Sequence, residues 1–205
     1  SLIKNNFDNK FWKVPTLFWL SQSNLFINLV LNIGLISSSL IFLGNLNPIY
    51  FAITYICYQS FVSIGSPFLS FQWDVMLLEM CFYSFFYSMT SPPNLFLHYA
   101  LWLFFVRFMM SACIAKLKSG DKNWWNLTAT TYHYLTQPLP TLPAWYAHKL
   151  PINLHKLSCA ITLLIQTCCT PLLLTPFFFR KWLILPQILL QFLIALTGNY
   201  CFFNT

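Results

Sequence analysis

The chain has 205 residues, of which 58% are hydrophobic, 20% aromatic and only 7% charged, with a formal net charge of +7. So few charges cannot cover the surface of a water-soluble domain of this size, so lipid is the natural solvent for most of the chain. The basic residues sit in small groups at the ends of apolar runs and form no dense stripe, which excludes a nucleic-acid partner and points to anchoring at a membrane interface.

A bilayer-spanning helix needs about 20 mostly apolar residues. Residues 1–23 precede the first such run and read as an interfacial segment without the basic–apolar–small order of a cleavable signal. The transmembrane domain is expected over residues 24–205. The runs in chain order are Asn24–Leu43, ended by GNLNP; Ile49–Ile64, ended by GSP; the short Asp74–Met89, ended by TSPPN; Leu95–Ala115; Leu154–Leu174; and Trp182–Thr197, with Pro186 near its start. They predict an all-α polytopic transmembrane bundle of five or six spans, five if the short third run is re-entrant. The start at Ser1 and the stop after the apolar GNYCFFNT suggest a piece of a longer protein whose downstream domain is missing.

The longest interruption, residues 116–151, contains GDKNWWNLTATTYHYLTQPLP. Pro138, Pro140, Pro143 and Pro151 exclude one long helix there. Trp124, Trp125, Tyr132, Tyr134, Trp145 and Tyr146 are residue types that settle at membrane–water interfaces. An irregular aromatic cap is therefore predicted over the bundle, with one or two short amphipathic helices, LPAWYAHK (Leu142–Lys149) being one. These aromatics, with Gln137, form the candidate cap and client surface. On a six-span count the cap shares its side with Lys4, Lys10 and Lys13, and the positive-inside rule places that side in the cytoplasm.

Asp74, Glu79, Arg107 and His133 form a candidate functional or structural polar cluster. A charge near the bilayer centre costs about 2.5 kcal/mol or more and needs a partner or a role. Glu79 lies 13 residues before Pro92 and Arg107 15 after it, so an antiparallel turn puts both about 20 Å from the bend and predicts an ion pair. Asp74 begins its run, where a carboxylate satisfies free backbone N–H groups. His133, between two tyrosines, reads first as a hydrogen-bonded structural histidine and second as a proton carrier or substrate contact.

No cofactor or metal set emerges. No two of the four histidines stand at i, i+4, and the seven cysteines lie mostly in apolar runs without a C-x-x-C pair. No catalytic residue is assigned, because neither a nucleophile elbow nor a glycine-rich phosphate loop is present. Asn126-Leu127-Thr128 is a glycosylation sequon that matters only in a secretory lumen.

Four blocks carry a resemblance: QWDVMLLE (Gln72–Glu79), FVRFMMSACIAKLKSGDKNWWNLTATTYHYLTQPLP (Phe105–Pro140), AWYAHKLP (Ala144–Pro151) and LTGNYCFFN (Leu196–Asn204). In this order and spacing they resemble the lipase maturation factor family. The resemblance implies a multi-pass protein of the endoplasmic reticulum membrane, or of the inner membrane in a bacterial host. It implies secreted lipases as clients, a chaperone-like role in folding them into active dimers, membrane lipids as surroundings, a further domain past the last helix, and distinctive regions facing the lumen. The alternative is a membrane-embedded lipid-binding protein or enzyme, distantly similar to vitamin K-dependent carboxylase-type helical domains. A transporter ranks last, because no inverted repeat stands out.

Overall fold

The computed structural model describes residues 10–69, 71–90, 94–137, 139–175 and 177–199. The expected SPPN turn at Pro92, the loop residue Pro138, the last cysteine and the terminal block from Tyr200 lie outside these residues. The described residues are all-helical. The helices are α1 (Lys10–Lys13), α2 (Asn24–Phe42), α3 (Pro48–Val62), α4 (Gln72–Ser88), α5 (Leu95–Lys118), α6 (Lys122–Trp125), α7 (Ala129–Thr136), α8 (Leu142–His148), α9 (Ile152–Leu164) and α10 (Phe177–Thr197). Four helical stretches are long and apolar enough to cross a bilayer: Asn24–Phe42, Leu95–Lys118, Ile152–Leu174 and Phe178–Thr197. The second and third expected runs are helices of 15 and 17 residues, α3 and α4. The chain is an integral membrane protein.

Local chemistry sets the boundaries. Ser23 caps α2 by accepting from Phe26 N, and Asn47 caps α3 by accepting from Ile49 N with Pro48 in the first turn. Gly44, at φ 91°, and Gly120, at φ 78°, take the left-handed conformation that follows α2 and α5. The fifth run is α9 followed by a π-helical turn, Ile165–Cys169, and a 3₁₀ turn, Pro171–Leu174. Pro171 has no N–H and its ring crowds the carbonyl four residues back. Widening relieves the strain: Thr170 N donates to Ile165 O, five residues earlier, at 3.0 Å.

The chain divides into two compact units, Ser1–His98 and Tyr99–Thr205. In the first, α3 packs against both α2 and α4. Phe18, Val30 and Cys57 form its buried core, with Phe26, Ile53 and Phe61 against them. The segment before α2 docks here: Thr16 Oγ1 donates to Ser60 O at 3.1 Å, and Ser60 Oγ accepts from Leu17 N at 3.0 Å. In the second unit, α7 packs on α8 and α9, and α10 packs on α8 and on the distorted end of the α9 stretch.

Candidate functional site

Among its described residues the cap contains three short helices, α6, α7 and α8, where one or two were expected. Asp121 starts α6 by accepting from Asn123 N, and Thr141 starts α8 by accepting from Ala144 N, with α7 between them. The helix expected at Leu142–Lys149 is α8.

The cap aromatics separate into two sets. Trp125 is 67% exposed, Tyr132 58%, Trp145 48% and Tyr146 61%. Lys149 Nζ sits 3.2 Å from the centre of the Trp145 ring, a cation–π contact that fixes the indole on α8. The inward set ties the cap down. Gln137 is buried, and its Nε2 donates to Thr197 O at 2.6 Å, satisfying a carbonyl at the end of α10. Thr141 Oγ1 donates to Leu196 O at 2.7 Å. Tyr134 is half-buried with its ring 6.0 Å from that of His155; burial pushes its phenol up, against a lowering hydrogen bond with Ser158. His133 is also half-buried, and its imidazole is pulled below the usual 6.5, first by burial and then by the charge of Lys116.

A buried staple joins α7 to α9. His155 is 3% exposed; its Nδ1 lies 3.1 Å from Thr130 Oγ1 and its Nε2 3.3 Å from His148 O. The Thr130 hydroxyl also donates to the His155 carbonyl at 3.1 Å, so one hydroxyl meets both the ring and the backbone of His155. Cys159 Sγ adds a contact to the same hydroxyl at 3.4 Å.

Beneath the cap runs a polar seam that the sequence analysis did not single out. Lys116 Nζ donates to Gln166 Oε1 at 3.1 Å and to Ala112 O at 3.2 Å, and stands 5.5 Å from the Trp124 ring centre. Gln166, 3% exposed, belongs to the π-helical turn. Gln187, also 3% exposed, donates from Nε2 to Thr170 Oγ1 at 2.9 Å and to Ile165 O at 3.3 Å. Gln191 Nε2 meets Met109 Sδ at 3.1 Å. The side-chain oxygens of Gln187 and Gln191 are buried without a hydrogen-bond partner among the described residues. The seam is thus rich in amide groups, and one Lys anchors it under Trp124. A signal for it was present: Gln166 interrupts an apolar run, and Gln187 and Gln191 stand four apart on one helix face.

The four members of the expected polar cluster lie on α4, α5 and α7. Asp74 is 3% exposed; its Oδ1 accepts from the Tyr58 hydroxyl at 2.6 Å and its Oδ2 from Phe71 N at 3.1 Å. It acts as a helix-start acceptor and tether inside the first unit. Glu79 is half-buried on α4 of that unit. Arg107 lies on α5 of the second unit, exposed, with its guanidinium 5.7 Å from the Phe104 ring centre. His133 belongs to the cap, near Lys116. Among the described residues no three His, Cys, Asp or Glu side chains gather as a metal site.

Comparison with known proteins follows from this geometry. The family model described as the lipase maturation factor transmembrane domain matches residues 1–205. Lipase maturation factor 2 of Homo sapiens is 38% identical over 220 residues, covering 94% of this chain and 31% of the relative. The Gallus gallus protein of the same name is 36% identical over 213 residues, covering 93% and 29%. Lipase maturation factor 1 of Mus musculus is 33% identical over 210 residues, covering 93% and 35%. The chain therefore spans about a third of the length of these relatives. No solved structure matches it.

Proposed function

Because the chain belongs to the lipase maturation factor family, we propose that it is the membrane domain of a maturation factor of the endoplasmic reticulum membrane, non-catalytic and chaperone-like, that assists the folding and assembly of secreted lipases. The observation that carries this reading is the two-sided cap. Trp125, Tyr132, Trp145 and Tyr146 face outward, while Gln137, Thr141 and Tyr134 hold the same segment to α9 and α10. Exposed aromatics on a fixed support present apolar area to a partially folded client at little entropic cost.

Activity of a secreted lipase in cells lacking their own maturation factor tests this, using the full-length parent of the chain. Wild type is expected to restore it. Tyr132→Ala with Tyr146→Ala should lower the recovery at matched expression. No rescue by well-expressed wild type removes the reading.

A second reading, a membrane-embedded lipid-binding protein or enzyme, is favoured by the seam of Lys116, Gln166 and Gln187. In that case Gln187→Leu abolishes function while the cap substitutions do not. The expected Glu79–Arg107 ion pair is a separate proposal, and a dry packed bundle holding that pair counts against this second reading. The check on the pair is a charge swap, Glu79→Arg with Arg107→Glu, which restores function if the two side chains meet.

A further inference from the structure

In the first unit, α2, α3 and α4 line a half-open cavity of about 430 Å³. That is within the roughly 300–1,000 Å³ of small-molecule sites. Its wall follows α3 from Phe51 to Phe61, about 15 Å at 1.5 Å per residue, so the space is a slot along the helix axes. Small side chains keep it open. At Gly34, α2 and α3 touch: a Cβ there would lie 3.1 Å from Cys57 Cβ. On the α4 side the wall includes Cys81 and Ser84 where a larger residue would close the gap.

Three polar groups of the wall are engaged within the protein, Tyr55 and Ser84 add two further hydroxyls, and the lining is otherwise mostly apolar. Ser38 Oγ donates to Leu35 O at 3.0 Å, the Tyr58 hydroxyl to Asp74 at 2.6 Å, and Cys81 Sγ to Phe51 O at 3.3 Å. Thr54 Oγ1 is buried with no hydrogen-bond partner among the described residues. A buried water needs two to four polar partners, and this wall offers few. An empty slot would forfeit dispersion contacts along its whole length. Ile33, Ile56, Val75 and Phe82 stand exposed on the same helices, so the medium around them is hydrocarbon. Hydrocarbon chains in a bilayer are apolar, slender and aligned with spanning helices.

We infer that this slot binds a single acyl chain of a membrane lipid, taken from the bilayer and held along α3. The site belongs to the first unit and the cap to the second, and the inference does not depend on the cap's client role. It gives the first unit a function of its own as a lipid-occupied half of the domain.

The test uses the full-length protein in cells fed a fatty acid carrying a photoreactive diazirine in mid-chain. After illumination, the crosslinked peptides are mapped. Crosslinks are expected on the buried wall residues Val30, Cys57 and Leu78, which bulk lipid does not reach. Ser84→Phe fills the slot and should cut those crosslinks severalfold, whereas Ile56→Phe, on the exposed face of α3, should leave them unchanged. Ser38→Leu is a milder filling variant should Ser84→Phe fail to fold. Thr54→Val should keep the labelling, because the bound group is apolar. A wild-type wall without lipid crosslinks overturns the inference. So does undiminished wall labelling in a folded filling variant, or a wall crosslinked instead to protein outside this domain.

Discussion

The two units meet the same solvent with different means. The first, Ser1–His98, carries three basic and three acidic residues, so its formal charge is zero. An apolar core around Phe18, Val30 and Cys57 holds it, and its most buried charged group, Asp74, accepts twice from near neighbours. The second, Tyr99–Thr205, carries eight Lys and Arg against a single acid, Asp121, and so accounts for the whole net charge. Its interior is joined by amides, hydroxyls and Lys116. A carboxylate that is fully hydrogen-bonded locally can be buried without a cation. A half-buried ammonium can likewise be held by neutral oxygens and an aromatic face, at the expense of making each of those partners necessary.

The largest expected effect lies in the first unit. Asp74→Ala orphans both the Tyr58 hydroxyl and Phe71 N–H, and should lower stability by about 3 kcal/mol. Asp74→Asn retains an acceptor and should lose less. Thermal unfolding in nanodiscs reads both, and equal losses would mean that the two donors are not what makes Asp74 necessary.

The second unit should respond asymmetrically. Gln166→Leu leaves the Lys116 ammonium with Ala112 O as its remaining hydrogen-bond acceptor and should cost about 2 kcal/mol. Lys116→Met removes the charge together with its need for partners, and should cost less than Gln166→Leu. The reverse order in the same unfolding assay would show that the ammonium is the stabilising member of the pair.

A smaller effect follows from His133. Its folded pKa lies below the ordinary 6.5, so below that pH the unfolded chain binds more protons than the folded one. The contribution is complete above about pH 6.5, is lost as the pH falls from there toward the folded pKa, and then levels off. His133→Gln should flatten this part of the pH profile of the unfolding midpoint. An unchanged slope would assign the titration to another group.

The smallest stability effect belongs to the outward cap. Tyr132→Ala and Tyr146→Ala should each shift unfolding by about 0.5 kcal/mol or less, as exposed positions do. Lipase recovery should nevertheless fall with both replaced. A large loss of stability from either would make that residue part of the support and not of the presented surface.

Much of this architecture could be read in the sequence. Inside a bilayer every backbone N–H and C=O must be satisfied within its own segment, so apolar runs of sufficient length become helices. Among the described residues that rule yields six helical stretches near the expected limits, four of them long and apolar enough to cross a bilayer. Proline and interface-loving aromatics likewise marked residues 116–151 as a cap and placed α8, and the short blocks identified the family. The short helices α6 and α7 were less legible because side-chain capping, not periodicity, limits such brief elements.

Other features needed the tertiary structure. Lys116 and Gln166 are 50 residues apart, Gln137 and Thr197 60, and Gln191 and Met109 82. Whether such groups meet depends on the rotation and depth of whole helices, and the hydrophobic content of a run specifies neither. The π-helical turn that turns Gln166 and Thr170 into the seam arises only when Pro171 is accommodated inside a packed bundle. The slot in the first unit has the same origin: Gly34, Ser38, Cys57 and Ser84 are ordinary small residues in sequence, and only their convergence from three helices leaves a cavity between them.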